Sequence, residues 1–366
     1  MPAKKHYSKL VHFILKKFLA LQETAITEIS NPKNFLIVRQ HNQLGDLLAG
    51  VSLLRAIKEK YPGSKITLIV SPANYSGMTK NKFVDELFVF DKKKLILPNY
   101  LIALRKILKR EYDAAIVPMT VSISLTSNII CRLSNSKIRI GPRSLNGKIN
   151  ESYYLFDKLV DIDWRNFPDS HVADRILDIV RPFGIDTKNF RSEITFDQKD
   201  VEFTNKFLQS LGVNSSDILI GFHCGAGKKQ NRWSLLKYVD LIKLLNHEYK
   251  AKMYLTGSNS DEEEINYVVN HIPFKVGLFL NKPIPQVAAL ISKSSLFISN
   301  DTGIMHVAGT TNTPQISIFG PTNPLNWAPV GENKYYIRKS DLIDDVLLED
   351  VTWLIQRMVS QRIIKL

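Results

Sequence analysis

The sequence predicts an α/β protein with two doubly wound, Rossmann-like domains that face a central cleft. From residue 34 onward, short and continuously apolar segments alternate with helical segments. Strands that are apolar at every position indicate a parallel sheet covered on both faces. The alternation stops between residues 143 and 170 and then resumes, and a chain of 366 residues has room for two such domains.

The first series of elements begins with the strand NFLIVRQ at residues 34–40. A helical pattern from Leu47 to Tyr61 follows and stops at Pro62-Gly63. The further elements predicted for this half are the strands KITLIVS, ELFVFD, DAAIVPM and KIRIGP and a helix over Lys92–Arg110. We expect residues 143–170 to form a loop. A helix over His171–Pro182 and the extended RSEITFD then lead to the second half.

The second series begins with the strand DILIGFHCGAG. Its other predicted strands are KMYLTGS, VGLF, LFISND and QISIFGP, and its helices cover Ser234–Tyr249, a segment from Asp261, Ile284–Ser292 and Leu347–Val359. We therefore predict five regions along the chain. They are a basic N-terminal segment (1–30), a first Rossmann-like domain (31–183), a linker (184–196), a second Rossmann-like domain (197–340) and a C-terminal helix (341–366).

Charge and cysteine content narrow the class of partner and the compartment. Lys and Arg outnumber Asp and Glu by 49 to 35, and this net charge of +14 favours anionic partners. The two cysteines, Cys131 and Cys224, lie far apart and have no metal-ligand spacing, which fits a reducing cytoplasm.

The N-terminal segment KKHYSKLVHFILKKFLALQ, residues 4–22, has apolar residues near helical spacing with lysines between them. Lys16 and Lys17 interrupt the apolar run, so it is too short to span a bilayer. Two alternatives remain open: a basic helix on anionic lipid at the inner face of the plasma membrane, or a helix packed on the domain.

Three glycine-containing segments follow predicted strands, where open α/β sheets bind ligands. In the first, RQHNQLGDLLAG, Asp46 lies at the start of a helix. It is either a capping carboxylate that the helix dipole stabilises or a general base.

The second segment is GFHCGAGKKQNRW. Gly225, Ala226 and Gly227 free the backbone to approach a ligand, and cations follow at Lys228, Lys229 and Arg232. Backbone N–H groups together with cations suit a diphosphate. The segment matches neither the P-loop nor the GxGxxG pattern.

The third segment, SNDTGIMH, places Asp301, Thr302 and Gly303 at the start of a helix, with His306 one turn further along. This clustering predicts a site for an anion or a sugar. Asp161 and Asp163 form a D-x-D outside any strand-to-helix junction, so we predict no metal site there. Among the acids of SDEEE (260–264), Glu262 is a candidate for binding ribose hydroxyls. No cofactor is expected.

These segments resemble the motifs of glycosyltransferase family 9, the bacterial heptosyltransferases that build the inner core of lipopolysaccharide. The family pattern is LGD after the first strand, then HxGAG…RW, then SNDTGxMHxA…FGPTxP. This chain has QLGDLLAGVSLLRAIKEKYP, HCGAGKKQNRWSLLKY and ISNDTGIMHVAGTTNTPQISIFGPTNP in that order. The resemblance covers roughly residues 34–330.

The resemblance implies a GT-B fold and an inverting, metal-independent transfer of heptose from ADP-heptose to a lipopolysaccharide core or related surface glycan. It implies that residues 31–183 form the acceptor side, where Gln43 and Gly45 lie, and that residues 197–340 bind the nucleotide sugar. It also implies Asp46 as the catalytic base and a donor site that includes Gly225, Ala226, Glu262, Asp301, Thr302, Gly303 and His306. Members commonly carry a lysine two residues before the motif tryptophan, where this chain has Asn231. Arg232, Lys228 or Lys229 would then supply the cation.

The expected partners are a nucleotide-sugar donor and an anionic glycolipid acceptor. Three alternatives remain: a transferase that uses another nucleotide sugar, such as a UDP-linked one, a GT-B-fold sugar epimerase, and a non-catalytic nucleotide-sugar-binding protein. A nucleic-acid-binding protein would also explain the charge of +14, but the chain lacks the basic and aromatic clusters or known modules of that class.

Overall fold

The computed structural model describes residues 12–119 and 121–366. The chain divides into two compact units, Met1–Phe190 (unit 1) and Arg191–Leu366 (unit 2).

Unit 1 is built on a seven-stranded sheet. Its strands are β1 (Asn34–Arg39), β2 (Lys65–Val70), β3 (Glu86–Val89), β4 (Tyr112–Ile116), β5 (Ser136–Leu145), β6 (Lys148–Ile149) and β7 (Lys158–Ile162). Its helices are α1 (residues 12–19), α2 (Leu44–Ala49), α3 (Val51–Lys60), α4 (Tyr75–Met78), α5 (Pro98–Leu108), α6 (Leu125–Leu133) and α7 (Val172–Arg175). The strands follow the order β3-β2-β1-β4-β5, and β5 then pairs with β7 in parallel and with β6 antiparallel.

Unit 2 is built on a six-stranded sheet. Its strands are β8 (Leu219–His223), β9 (Lys252–Gly257), β10 (Gly277–Leu280), β11 (Leu296–Asn300), β12 (Gln315–Phe319) and β13 (Lys334–Arg338). Its helices are α8 (Gln198–Ser210), α9 (Leu235–Tyr249), α10 (Glu262–His271), α11 (Ile284–Ile291), α12 (Gly303–Gly309), α13 (Pro324–Trp327) and α14 (Leu348–Ser360). All strand pairs are parallel, in the order β10-β9-β8-β11-β12-β13.

Both sheets reverse their order of winding beside their first strand. In unit 1 the reversal lies between β1 and β4, and in unit 2 it lies between β8 and β11. Connections leave on opposite faces at such a point, so a crevice opens at the carboxyl ends of these strands. The segments after β1, β8 and β11 are the three glycine-containing segments singled out in the sequence.

The core of each unit explains why its central strands are apolar throughout. Along β1, Phe35 and Ile37 pack on one face of the sheet, and Leu36 and Val38 pack on the other. In unit 2, α14 buries Val351, Ile355 and Met358 against the same core as β8 and β11, so the C-terminal helix belongs to this unit.

Helix α1 packs on unit 1 through one side only. The His12 ring bonds the Tyr154 hydroxyl at 3.0 Å, and Arg132 donates to the Leu19 carbonyl at 2.6 Å. Phe13 and Phe18 are exposed on the remaining surface. The part of the amphipathic segment before residue 12 lies outside the described residues. No helix in the described part of the chain is long and apolar enough to cross a membrane.

The structure corrects four predictions about the elements. The helix expected over Leu47–Tyr61 is two helices, because α2 ends at Gly50, whose N–H bonds the Leu47 carbonyl at 3.1 Å. Residues 143–170 are not a loop, since β6 and β7 lie within them. The helix expected over His171–Pro182 is α7 followed by two short 3₁₀ turns. The helix expected over Lys92–Arg110 is a 3₁₀ turn at Lys92–Lys94 followed by α5, which begins at Pro98. In addition, helix α8 and strand β13 were not predicted.

Helix α8 depends on a capping box at its first turn. The Asp197 carboxylate accepts from the backbone N–H groups of Lys199 and Asp200, and the Asp200 carboxylate accepts from the Asp197 N–H. We expect Asp197→Ala to lower the free energy of unfolding by about 1 kcal/mol, because two N–H groups lose their acceptor. The neighbouring, exposed Gln198→Ala is the matched control, and urea denaturation measures both. Equal stability of the two variants would show that the box contributes nothing.

Candidate functional site: two strand-edge clusters

The cluster in unit 1 is centred on a buried ion pair at the crevice between β1 and β4. Arg39, the last residue of β1, lies 3.1 Å from the Asp46 carboxylate in the first turn of α2, and the two side chains are 2% and 3% exposed. Arg39 also donates to the carbonyl of Pro118, just beyond β4, at 2.8 Å. The guanidinium therefore links both sides of the crevice and compensates the charge of Asp46.

The segment between β1 and α2 is fixed by neighbouring hydroxyl and amide groups. The backbone carbonyl of His41 accepts hydrogen bonds from the Ser71 hydroxyl at 3.0 Å and from the Asn74 side-chain amide. The Nε2 atom of the His41 ring lies 3.1 Å from the Ser122 hydroxyl. Burial lowers the pKa of His41, and the nearby Arg39 cation lowers it further, so the imidazole is neutral at neutral pH. Gln43 is exposed and Gly45 is half-buried.

The cluster in unit 2 is held together by Asn300, the last residue of β11. Its amide donates to the carbonyls of Cys224 at 2.8 Å and Gly225 at 3.3 Å. The oxygen of the same side-chain amide accepts hydrogen bonds from the backbone N–H of Trp233 at 3.2 Å and from the Tyr238 hydroxyl at 3.0 Å. One fully buried side chain thus fixes both ends of the glycine-containing loop that follows β8.

Two acids from the start of α10 shape the same loop. Asp261 accepts from the backbone and hydroxyl of Ser258, both at 2.8 Å, and its carboxylate lies where a Cβ on Gly225 would be. Glu264 pairs with Arg232, which also donates to the Ala226 carbonyl at 2.8 Å. Arg232 therefore positions the loop through an ion pair of its own.

Asp301 follows Asn300 and is enclosed by polar groups. The Asn231 amide donates to its carboxylate at 2.8 Å, and the Thr322 hydroxyl also bonds it. Burial raises the pKa of Asp301, while the Thr322 hydrogen bond and the nearby Lys228 cation oppose that rise. The Asn231 side-chain oxygen is buried and has no hydrogen-bond partner among the described residues.

Other predicted residues differ in how accessible they are. Thr302 is the N-cap of α12, but within the described chain its side chain makes no capping hydrogen bond. Thr302 and Gly303 are half-buried, whereas Gly227, Lys228 and Lys229 are exposed. His306 is buried and packs edge-on against Trp327, with ring centroids 6.3 Å apart.

In the acidic segment 260–264, the loop is contacted by two acids that were not singled out from the sequence, and the ribose contact of Glu262 stays a prediction. Glu262 is exposed on the first turn of α10, whereas Asp261 and Glu264 face the loop. The signal was present in the sequence, because Asp261, Glu264, Ile265 and Val268 continue one buried helical stripe. Asn300 was also missed, although a polar residue ending a buried strand was a visible signal.

The two aspartates of the D-x-D pattern pair with arginines. Asp161 accepts from Ser144 at 2.6 Å and lies 3.5 Å from Arg143. Asp163 pairs with Arg165, whose hydrogen bonds lower the pKa of Asp163 to about 2. Among residues 12–119 and 121–366, no group of three His, Cys, Asp or Glu side chains is arranged to hold a metal ion.

Comparison with known families identifies the chain. Residues 101–343 match glycosyltransferase family 9 (heptosyltransferase), which covers the loop after β8 and the strand-edge segment after β11. The chain belongs to glycosyltransferase family 9. It is accordingly a glycosyltransferase, and its fold is the GT-B type with two Rossmann-like domains.

Relatives of this family-9 glycosyltransferase include enzymes and solved structures. Lipopolysaccharide heptosyltransferase 3 of Escherichia coli is 24% identical over 305 residues, which cover 79% of this chain and 84% of that protein. A family 9 glycosyltransferase from Veillonella parvula superposes with a TM-score of 0.77 at 18% identity, covering 93% of this chain and 100% of the other. The ADP-heptose lipopolysaccharide heptosyltransferase II of E. coli gives a TM-score of 0.73 at 20% identity, with coverages of 90% and 99%.

The packing of Asp261 against the loop makes a prediction for this glycosyltransferase. Gly225→Ala would place a methyl group on the Asp261 carboxylate, which Ser258 holds in place. We expect it to lower the free energy of unfolding by about 1–3 kcal/mol, the usual cost of overpacking.

Gly227→Ala is the matched control, because no atom of the described residues lies within 4 Å of the position that a Cβ at Gly227 would take. We expect it to change stability by less than about 0.5 kcal/mol. Denaturant unfolding followed by tryptophan fluorescence compares the two variants. Equal stability would mean that the loop moves freely and that Asp261 does not define its position.

Proposed function

We propose that this protein transfers heptose from ADP-heptose to a lipopolysaccharide core or a related surface glycan, with inversion and without a metal ion. The observation that carries the proposal is the position of the two clusters. Each lies at the winding reversal of its sheet, one around a buried carboxylate and the other around a glycine-containing loop with exposed lysines. The family match and the named activities of the relatives support this choice of substrates.

The donor nucleotide binds in unit 2. Gly225, Ala226 and Gly227 present backbone to the diphosphate, and Lys228 and Lys229 supply mobile positive charge. Arg232 remains paired with Glu264 and contributes by holding the loop in its conformation. Thr302 lies half-buried at the strand edge and contributes a hydroxyl contact to the nucleotide sugar.

Asp46 is the general base. The acceptor hydroxyl gives its proton to the Asp46 carboxylate while its oxygen bonds to the anomeric carbon of the heptose. The bond from that carbon to the diphosphate breaks at the same time, and ADP leaves with the electron pair. The lysines and backbone N–H groups of the loop stabilise the charge that builds up on the diphosphate, which is the task a metal ion performs in other transferases.

The ion pair holds the base in place. Arg39 lies 3.1 Å from the Asp46 carboxylate and donates to the carbonyl of Pro118 at 2.8 Å, so it fixes the carboxylate beside the end of β1. Arg39 is thus a positioning residue for the base.

A transfer assay tests the proposed function. Purified full-length protein is incubated with ADP-heptose and lipopolysaccharide acceptors truncated at successive heptoses, and mass spectrometry detects the product. We expect one acceptor to gain a single heptose and the rate to be unchanged by EDTA. Transfer from UDP-sugars alone, epimerisation of the donor without acceptor, or a loss of activity in EDTA that Mg²⁺ or Mn²⁺ restores would contradict the proposal.

Asp46→Asn should reduce transfer by about a hundredfold or more, since the amide cannot take the acceptor proton. The variant also removes the carboxylate that pairs with buried Arg39, and breaking a buried ion pair can cost roughly 3–5 kcal/mol of stability. The transfer rate is therefore measured per folded molecule, with the folded fraction determined by circular dichroism.

Asp157→Asn is the matched control for this loss of a buried carboxylate. Asp157 is also buried in unit 1 and lies 3.2 Å from an arginine, Arg139, but it precedes β7 at the opposite edge of the sheet. We expect a comparable loss of stability with little change in the rate per folded molecule. Equal rates for the two variants would show that Asp46 has only a structural role.

Thr302→Ala should weaken ADP binding by about 1 kcal/mol, or roughly fivefold in Kd, through the loss of one ordinary hydrogen bond. The control is Thr310→Ala at the other end of α12, where the hydroxyl bonds the Val307 carbonyl at 2.7 Å. Isothermal titration calorimetry compares the two. If both variants bind ADP as the wild type does, Thr302 does not contact the nucleotide.

A further inference from the structure

The segment before α5 and the outer side of that helix expose a group of large aliphatic side chains on unit 1. Ile96 is 84% exposed and Ile102 is 66% exposed, with Leu97 at 48% and Leu101 at 44%. Folded proteins rarely leave large aliphatic side chains together in water unless the surface has a partner. We call these four residues the α5 surface.

The α5 surface is bordered by positive charge. Residues 92–110 contain no aspartate or glutamate, and their cations are Lys92, Lys93, Lys94, Arg105, Lys106, Lys109 and Arg110. Two nearby acids are engaged, since Asp91 accepts from the Lys93 N–H at 2.9 Å and Glu86 pairs with Arg110. The lysines before the helix are exposed.

Helix α5 is firmly attached to the unit, so its exposed side is a stable surface. Leu104, Ile107 and Leu108 are buried in the core beneath the sheet. The Tyr100 hydroxyl donates to the Val89 carbonyl at 2.9 Å and accepts from the Asp91 N–H at 2.7 Å. These bonds fix the first turn of α5 to the carboxyl end of β3.

We propose that the α5 surface binds an anionic lipid bilayer, with its aliphatic side chains inserted among the acyl chains and its lysines at the phosphate groups. Aliphatic residues beside a cluster of lysines and arginines are the combination that binds anionic interfaces. A second copy of this chain fits less well, because the cations around the surface would face each other across the contact. This inference concerns a surface separate from residues 4–22 and does not depend on which sugar is transferred.

The position of the α5 surface relates bilayer binding to the transfer reaction, and this step rests on the proposed function. Val89 ends β3 and Arg39 ends β1, the two parallel strands on either side of β2, so the first turn of α5 lies at the same edge of the sheet as the Asp46 cluster. A glycolipid acceptor has its reactive sugar close to the membrane surface. Docking through α5 would keep this edge of unit 1 near that sugar.

Vesicle flotation tests the proposal with the full-length protein. The vesicles contain either phosphatidylcholine alone or phosphatidylcholine with phosphatidylglycerol, and neither contains a glycolipid. The apolar variant carries Ile96→Ser, Leu101→Ser and Ile102→Ser, and the charge variant carries Lys92→Ser, Lys93→Ser and Lys94→Ser. The matched control carries Leu347→Ser and Trp353→Ser, which replace side chains that are 52% and 59% exposed on unit 2.

We expect wild type to bind the anionic vesicles and to bind neutral ones much more weakly. The apolar and charge variants should each lose about tenfold or more in partition coefficient, and the control should bind as wild type does. A Phe13→Ser, Phe18→Ser variant measures the contribution of α1 separately. The apolar substitutions should weaken binding further in that background as well.

A labelling experiment reports insertion directly. Cys131 and Cys224 are buried, so a dye can be attached selectively at Ile96→Cys or, as a control, at Leu347→Cys. Anionic vesicles should shift the emission of the dye at residue 96 to shorter wavelength and leave that at residue 347 unchanged. The proposal is wrong if the apolar variant binds these vesicles as wild type does, or if the dye at residue 96 does not respond. It is also wrong if the variant instead converts a dimer to a monomer without changing vesicle binding.

Discussion

A parallel sheet that reverses its order of winding leaves a crevice at its carboxyl edge, and polar groups placed there must be satisfied by the protein or by a ligand. In unit 1, Arg39 bridges the crevice from β1 to the carbonyl of Pro118 and compensates Asp46. In unit 2, Asn300 makes the equivalent link, from the end of β11 to the loop after β8. Both clusters follow from this one constraint on strand order.

The polar side chains of the unit 2 cluster fall into two sets, those that already bond other protein groups and those that are exposed. Arg232 is paired with Glu264, and Asp301 is bonded by Asn231 and Thr322. These groups shape the site, and moving them would leave buried charges without partners. Lys228 and Lys229 are exposed, and under the proposed function these flexible side chains follow the diphosphate as its charge grows. Asn231 stands where the resemblance to the family leads us to expect a lysine, so the proposal takes its positive charge from Lys228 and Lys229.

The sequence predicted the parts of the fold whose signal is local. Strands such as β8 and β11 are apolar at every position, and the glycine-containing segments follow them directly. Helix α8 was missed because its buried side is narrow, and β7 because Lys158 and Asp161 interrupt its apolar residues. The pairing of Arg232 with Glu264 joins residues 32 positions apart in sequence, so only the folded sheet brings them together. Exposure of the α5 surface likewise depends on which side of the helix meets the core.

The central claim is that nucleotide and base belong to separate units. Hydrogen exchange of the full-length protein, measured by mass spectrometry with and without saturating ADP, tests it most directly because each peptide reports its own segment. We expect slower exchange in peptides covering residues 223–233 and 299–306, and unchanged exchange in those covering residues 39–47. Protection confined to residues 39–47, or no protection in either unit while ADP is bound, would contradict it.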